Sequence, residues 1–496
     1  MQSFRTELED SLVEKDIIDL ERKIRLFREG NIHEEKFRSL RLARGVYGQR
    51  QKGVQMVRIK LPYGKMTFRQ WHRIAAISDE YSTGNLHLTT RQDVQIHFVS
   101  LDRTPELWAK LEEDNITLRE ACGNTVRNVT ASVTSGIDPN EPFDITPYAD
   151  AVFRYFLRNP ICQEMGRKIK MAFSNSDEDT ALTYMHDLGF IPKLKTENGI
   201  ETRGFKVVVG GGLGAQPMLA QVAFEFLEAE KIVPYTEAVL RVFDRHGERN
   251  SRHKARLKFL IQKIGFEAFN DLVSQEYKSL KVQTYPITET TDEETTIQYF
   301  DTVSYENLQA ESWFQSNVFK QKQAGFYGVF VKVPLGNISS ETSRNLVADL
   351  EGYIADDIRI TVNQGLFLRS VPEENLNYVF SVLKKYNLAT PGANSPAKIT
   401  ACPGTDTCNL AISDSTHITT VLEKVIIDEF PDLIFDHDIK IKISGCMNSC
   451  GQHGMATIGF HGSSLKANGK VLPALQVLLG GGTVGNGEGR IADKVL

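Results

Sequence analysis

GVQMVRIKLPYG, Gly53 to Gly64, returns as GFYGVFVKVPLG, Gly325 to Gly336, and the offset of 272 residues persists beyond the match. Pro62 falls on Pro334, Leu88 on Ile360, Thr89 on Thr361, Gln92 on Gln364 and Asn115 on Asn387. KIK at 168–170 meets KIK at 440–442 at the same offset, and VVVGGG ending at Gly212 meets VLLGGG ending at Gly482 at an offset of 270. The chain is a duplication. Each half reads as a strand, a helix, a second strand and a helix, then a larger α/β unit ending in a glycine-rich turn. Two long copies predict a pseudo-twofold α+β architecture, because a solenoid needs more and shorter repeats.

The copies differ in chemistry. Read as one strand, His87 to Phe98 (HLTTRQDVQIHF) alternates: His87, Thr89, Arg91, Asp93, Gln95 and His97 share one face, and Leu88, Val94, Ile96 and Phe98 the other. In the second copy Arg91 becomes Asn363, Gln95 becomes Phe367 and His97 becomes Arg369, while Arg58, on a strand reading VRIKLP, becomes Phe330. A solvated antiparallel face would alternate in the same way. Two further basic sites weigh against it: Arg127 in GNTVRNVTAS, and Lys168 with Lys170 in GRKIKMAF, where the lysines share one side of a strand entering an apolar run. Lys-x-Lys alone is a weak signal, since exposed strands carry lysine against aggregation. Together, Arg58, Arg127, Lys168 and Lys170 suit a pocket for a small anion. The first copy holds the donors and the second holds most of the cysteines, which places function across the interface between halves.

Those cysteines are Cys402 and Cys408 in ACPGTDTCNLA and Cys446 and Cys450 in SGCMNSCGQHG, a C-x5-C and a C-x3-C pair in glycine-containing loops. Four thiolates so arranged suit an iron–sulfur cluster. A structural zinc site and unrelated core cysteines stand as alternatives, although zinc pairs usually have two to four residues between ligands. The C-x-x-C of a thioredoxin-like pair is absent, and six cysteines in 496 residues do not make a disulfide framework. Cys122 and Cys162 read as free thiols.

Composition (41% hydrophobic, 24% charged) is that of an ordinary globular protein, and length points to about three domains. The N-terminal stretch is charged throughout, and no run reaches the roughly 18 apolar residues of a membrane span, so a reducing, cytoplasmic setting is expected. A net charge of −5 gives no global basic field, which argues against nucleic-acid binding. Anion chemistry must rest on locally gathered Arg and Lys.

The cysteine pairs, the duplicated halves and the strings MVRIKLPYG, TTRQDVQIH, VRNVTASVTSGIDP and GRKIK resemble the sirohaem and [4Fe-4S] family of sulfite and nitrite reductases, over nearly all of the chain from about Gly45. The resemblance implies an internally duplicated, three-domain reductase with its cofactors at the interface between halves. By motif, Cys402, Cys408, Cys446 and Cys450 would hold the cluster, with Cys450 also bridging to the sirohaem iron. Arg91, Gln95 and His97 resemble the sirohaem-binding residues, with His87, Thr89 and Asn448 as further candidates. Arg58, Arg127, Lys168 and Lys170 match the anion-binding set. The expected activity is six-electron reduction of sulfite to sulfide, with nitrite to ammonia as the alternative. Retention of both lysines favours sulfite, whereas VRNVTASVTSGIDPNEPFD resembles the nitrite-type branch. Some members carry a cysteine, linked to a tyrosine, where this chain has Thr125, so no link through Tyr47 is expected. Electrons would come from an external donor, a ferredoxin or a flavoprotein reductase subunit.

The expected organisation is a helical extension (1–45), a ferredoxin-like half-domain (46–116), a sirohaem- and substrate-binding α/β unit (117–290), a linker (291–317), a second half-domain (318–390) and a cluster- and sirohaem-binding unit (391–496). The acid-rich stretch 288–312 reads as a solvated linker. VVVGGGLGAQP and VLLGGGTVGNG lack the ending of a phosphate-binding loop and read as tight turns that approach sirohaem or pack the pseudo-twofold interface.

Overall fold

The computed structural model describes residues 8, 10–288, 297–299, 308–483, 489–492 and 494–495. Its first sheet has the strand order Val46–Gly48, Val54–Ile59, Val94–Ser100, Asn85–Leu88, Asn337–Ser339. The second has Val318–Lys320, Phe326–Val331, Leu366–Pro372, Ile358–Ile360, Lys65–Met66. The last strand of each sheet comes from the other half. Lys65–Met66 and Asn337–Ser339 are equivalent segments, so the two halves exchange edge strands and neither sheet is complete alone. Helices Phe68–Tyr81 and Ser340–Leu350 follow the exchanged strands, capped by Thr67 and Ser339. Both bury their apolar stripes in one shared core, Trp71 and Ile74 from the first and Leu346 and Leu350 from the second.

The duplication extends to the backbone. Tyr63, Gln92, Phe98 and Asn115 adopt positive φ, and so do Leu335, Gln364, Ser370 and Asn387, their counterparts at 272. Left-handed backbone is costly for non-glycine residues, so its recurrence marks turns that tertiary structure holds in place. The glutamines are a case. Gln92 Nε2 donates to Ala131 O and to Ile360 O of the other half, both at 2.9 Å, while its oxygen accepts from Ala131 N–H. Gln364 donates to Leu88 O and accepts from Ala401 N–H, the mirror arrangement.

Each half continues into a mixed five-stranded sheet. The first runs Gln221–Glu228, Ile200–Val209, Leu188–Glu197, Met171–Phe173, Thr130–Ala131, and the second Thr400–Ala401, Ile441–Ser444, Ile458–Ala467, Lys470–Leu479, Lys494–Val495. The first is backed by helices Ile232–His246, Leu257–Ile264 and Phe266–Ser279, which fill a large core. The second packs mainly on helix Ser415–Glu429 over a smaller core.

Three expectations need correction. His87–Phe98 is not one strand but a hairpin, Asn85–Leu88 and Val94–Ser100, turning at Gln92. The KIK match is out of register: Thr130 pairs Ala172 and Thr400 pairs Lys442 in parallel ladders, so the offset here is 270 and Lys440, not Lys442, is the counterpart of Lys170. The expected linker 291–317, whose residues 291–296 and 300–307 lie outside the described residues, ends in helix Leu308–Asn317 with Trp313 and Ala310 wholly buried in the shared core. The N-terminal stretch is helical as expected, over Ser11–Arg28 and Glu34–Leu42, and docks by Val13, Ile17, Leu20, Ile24 and Phe37. Among the described residues no helix is long and apolar enough to cross a membrane.

Candidate active site between the two halves

Three neighbouring strands set a row of donors. Arg58 pairs with Gln95 across one ladder and His87 with Gln95 across the next, which puts all three side chains on one face, with His97 one step along. Thus the hairpin preserves the shared face of His87, Gln95 and His97 that the single-strand reading anticipated, and removes Thr89, Arg91 and Asp93 from it to the turn. With its oxygen toward Arg58, the Gln95 amide accepts from Nε at 3.2 Å and Nη2 at 2.6 Å and donates to His97 Nε2 at 3.2 Å. His87 Nδ1 lies 2.8 Å from Asn337 Oδ1 of the other half. Burial pushes His87 down to about 4 and His97 down to about 3, so both imidazoles are neutral hydrogen-bonding groups at physiological pH.

The turn adds Arg91, whose Nη1 lies 3.4 Å from Thr130 Oγ1, while Thr89 Oγ1 accepts from Arg91 N–H and Asp93 N–H and so shapes the turn. Arg127 is half-buried and held by the carbonyls of Ala121 and Gly123. Lys168 and Lys170 stand just ahead of strand Met171–Phe173, on either side of Ile169, which bridges to Val126. Thr125 donates its hydroxyl to Glu120 O and Cys122 O.

The four anion-pocket candidates lie within electrostatic reach of one another, Arg58 of Arg127, Arg127 of Lys168 and Lys168 of Lys170, and with them come residues the sequence reading did not name. Arg256 clasps Asp187 at 2.8 and 3.2 Å, and Asp187 also accepts from Lys170 N–H. Arg167 is half-buried, with Nε unpartnered. The dense basic run RHKAR at 252–256 was the available signal for Arg256. Asp93, unlike the clasped Asp187, is a carboxylate without a hydrogen bond among the cations: it is 0% exposed, neither oxygen has a hydrogen-bond partner, and Arg58 Nε is 3.9 Å away. Burial pushes it up to about 6 against the pull of Arg58, Arg91 and Lys60. Burial and neighbouring cations push Lys168 and Lys170 well below the ordinary lysine range, Arg91 down to about 9 and Arg127 down to about 10.

The cysteine loops face this basin. Gly445 N–H donates to Cys402 Sγ at 3.1 Å, Leu410 N–H to Cys408 Sγ at 3.4 Å, and Asn448 Nδ2 to Cys446 Sγ at 3.5 Å. Asn448 thus lies against a cysteine. Thr90, on the first half's hairpin, donates its hydroxyl to Cys450 O at 2.9 Å. Negative charge on Cys450 would support the charged forms of Arg58, Lys168 and Lys170, so this thiol lies within electrostatic reach of three of the four cations. Burial and then Cys450 push the Cys402 thiol up to about 11. Among the described residues no three His, Cys, Asp or Glu side chains converge closely enough for one ion.

Both implied groups fit these residues. Amide donors aimed at cysteine sulfurs are a determinant of cluster potential, and the Cys402, Cys408 and Cys446 thiols, pushed up by burial and by neighbouring cysteine charge, would be held as thiolates by bound iron. The opposing basin holds many cations against few acids, an arrangement that a bound polycarboxylate such as sirohaem would neutralise. In the glycine-rich turns a Cβ on Gly211 would lie 2.2 Å from Tyr184 O and one on Gly481 2.6 Å from Ala456 O, while Leu213, next in the first turn, lies against Gly454 of the other half.

The nitrite and sulphite reductase 4Fe-4S domain matches residues 122–281 and 392–492, and the nitrite/sulfite reductase ferredoxin-like half domain matches 47–114 and 319–386. An assimilatory ferredoxin-dependent nitrite reductase of Haloferax mediterranei is 29% identical over 88% of this chain and 76% of its own length. A sulfite reductase [ferredoxin] 1 of Mycolicibacterium paratuberculosis is 28% identical over 88% of this chain and 78% of its own. The solved structure of the Mycobacterium tuberculosis NirA protein superposes with a TM-score of 0.80 at 26% identity, over 97% of this chain and 89% of that one.

Proposed function

Because the chain belongs to the nitrite and sulphite reductase family, oxidoreductases built on sirohaem and a [4Fe-4S] cluster, we propose that it carries out the six-electron reduction of sulfite to sulfide. The observation that supports this reading is the electrostatic proximity of four cations, Arg58 acting on Arg127, Arg127 on Lys168 and Lys168 on Lys170. A dianion needs more positive charge to leave water than a monoanion does, and a complete set of four suits sulfite.

In this reading Cys402, Cys408, Cys446 and Cys450 hold the cluster, and Arg91, Gln95 and His97 hold sirohaem, with His87, Thr89 and Asn448 around them. When bound, these groups store electrons and deliver them to the substrate. Arg58, Arg127, Lys168 and Lys170 bind the anion and oppose negative charge as it builds up. The lysines, held well below their ordinary range, release protons more readily than exposed lysines and so suit a role in delivering them as S–O bonds break. Gln95 and Asp93 set the direction of the Arg58 guanidinium from two sides. An external ferredoxin, as in the relatives' names, is the proposed donor, a flavoprotein subunit the other choice, and the cytoplasm the proposed setting.

Reduction of nitrite to ammonia is the second reading, because the relative named a nitrite reductase is as similar as those named sulfite reductases. Steady-state kcat/KM for both anions, with an artificial low-potential donor, separates them. A sulfite preference that moves toward nitrite in Lys170→Asn supports the proposal. A nitrite preference in the unmodified protein, insensitive to that substitution, overturns it.

A further inference from the structure

Arg50 lies between the first two strands of the first half, away from the anion pocket, and its donors reach the cysteine loop of the second half. Its backbone N–H donates to Thr407 O at 2.8 Å, Nε to Cys408 O at 3.2 Å and Nη2 to Ala411 O at 2.9 Å. Beside it Gln51 Nε2 donates to Asp406 O at 2.7 Å, and Asn409 Nδ2 donates back to Gly48 O at 3.3 Å.

The same contact recurs in the opposite direction, with one change. Lys322, the counterpart of Arg50, donates its backbone N–H to Ile137 O at 2.8 Å, and Gln323 Nε2 donates to Gly136 O at 2.9 Å. These acceptors sit 270 residues before Thr407 and Asp406. There, however, the cation meets a carboxylate: Lys322 Nζ donates to Glu141 Oε1 at 2.8 Å, and Glu141 occupies the position of Ala411. Where the loop carries no cysteines, the clamp is a neutralised ion pair. Where it carries them, the clamp is a guanidinium bonded to neutral carbonyls, one of them on Cys408 itself.

We propose that Arg50 is a positioning residue for the cluster, fixing the Cys402–Ala411 loop by its forked hydrogen bonds and raising the cluster's reduction potential by its positive charge. The proposal rests on the reading that the four cysteines hold a [4Fe-4S] cluster. Reduction adds negative charge to a cluster, and a nearby cation stabilises the reduced form more than the oxidised one. Arg50 is exposed, so added salt weakens the effect.

The test is a redox titration of purified holoprotein followed by the cluster's electron paramagnetic resonance signal. It compares wild type with Arg50→Gln, Arg50→Lys and Ala411→Glu, the last recreating the neutralised pair of the other copy. Iron and acid-labile sulfide are measured first. Their absence from wild type overturns the cluster reading itself, independently of Arg50. With the cluster present, midpoints are expected to shift negative in Arg50→Gln and Ala411→Glu and to stay near wild type in Arg50→Lys, with KM for the anion unchanged in all three. An unchanged midpoint in Arg50→Gln, or an equal shift in Arg50→Lys, overturns the proposal. If Arg50→Gln loses its iron, the midpoint of Ala411→Glu decides by the same criterion.

Discussion

The two copies of the sheet-bearing unit keep one backbone and fill its central loops with opposite chemistry. The four paired cysteines Cys402, Cys408, Cys446 and Cys450 have Ser132, Asp138, Ser176 and Thr180 as counterparts at 270. That set satisfies itself. Ser132 Oγ lies 2.6 Å from Thr180 Oγ1, and Asp138 Oδ2 accepts from Thr134 Oγ1 at 3.2 Å and Asn175 Nδ2 at 3.1 Å. The hairpin and the strand beside it differ as sharply, since Arg58, Asp93 and Gln95 stand where the other half has Phe330, Gly365 and Phe367. Phe330 and Phe367 pack on each other with centroids 4.4 Å apart and planes tilted by 43°, in the positions that Arg58 and Gln95 hold in the first half. Duplication supplied two equivalent places. One closed with hydroxyls and aromatics, and the other kept uncompensated thiols and cations that need a ligand.

The contrast is most exposed at the cysteines. Cys450→Ser is expected to abolish reductase activity and lower iron and sulfide content, whereas Thr180→Ser at the counterpart leaves both intact; metal analysis beside kcat checks this. Next, Lys170→Met should lower kcat/KM on the order of 100-fold, the scale of losing one preorganised charge-stabilising group. Its counterpart Lys440→Met, whose amine bonds Asn394 O, should change kcat/KM by less than about twofold.

Asp93 sharpens the comparison in stability. Its folded-state value is raised from 3.8 to about 6, so the folded chain keeps a proton that the unfolded chain has lost, and stability falls as pH rises through that window. Asp93→Asn should therefore stabilise the protein by about 3 kcal/mol at pH 7.5 and negligibly below pH 4, on the order of two pKa units. Denaturant unfolding at both pH values reads this. The smallest effect should erase the contrast altogether. Gln92→Ala and Gln364→Ala remove equivalent buried hydrogen bonds, and each should cost about 1–3 kcal/mol with the two values equal within error.

Periodicity and spacing read some features well and others poorly, for identifiable reasons. The donor face of His87, Gln95 and His97 was legible even through a wrong element, because a hairpin whose turn keeps the alternation in phase looks like one long strand. The left-handed turn at Gln92 carried no warning, since glutamine is not a turn residue. The KIK match misled because three identical letters outweigh a two-residue shift in a text comparison, whereas the parallel ladder admits only one register. Trp313 lies just past the acid-rich stretch and within the expected linker, and its burial comes from packing on Phe380 of its own half, centroids 5.1 Å apart, in the shared core. Asp93 was quoted within the donor string and given no role, because only its distance to Arg58 and its burial distinguish it from a solvated acid.

What the sequence determined by itself was the duplication, the cysteine set and the residue types that separate one copy from the other. Those are properties of order along the chain, and identical offsets or four thiols in two pairs need no coordinates. The exchange of edge strands, the shift from 272 to 270, the assembly of Arg167 and Arg256 with Lys168 and Lys170, and the clamp of Arg50 on the cysteine loop were decided in three dimensions. The exchanged strands, Arg256 beside the lysines and the Arg50 clamp join residues tens to hundreds of positions apart, and such contacts are set by which surfaces pack, information that no local pattern carries.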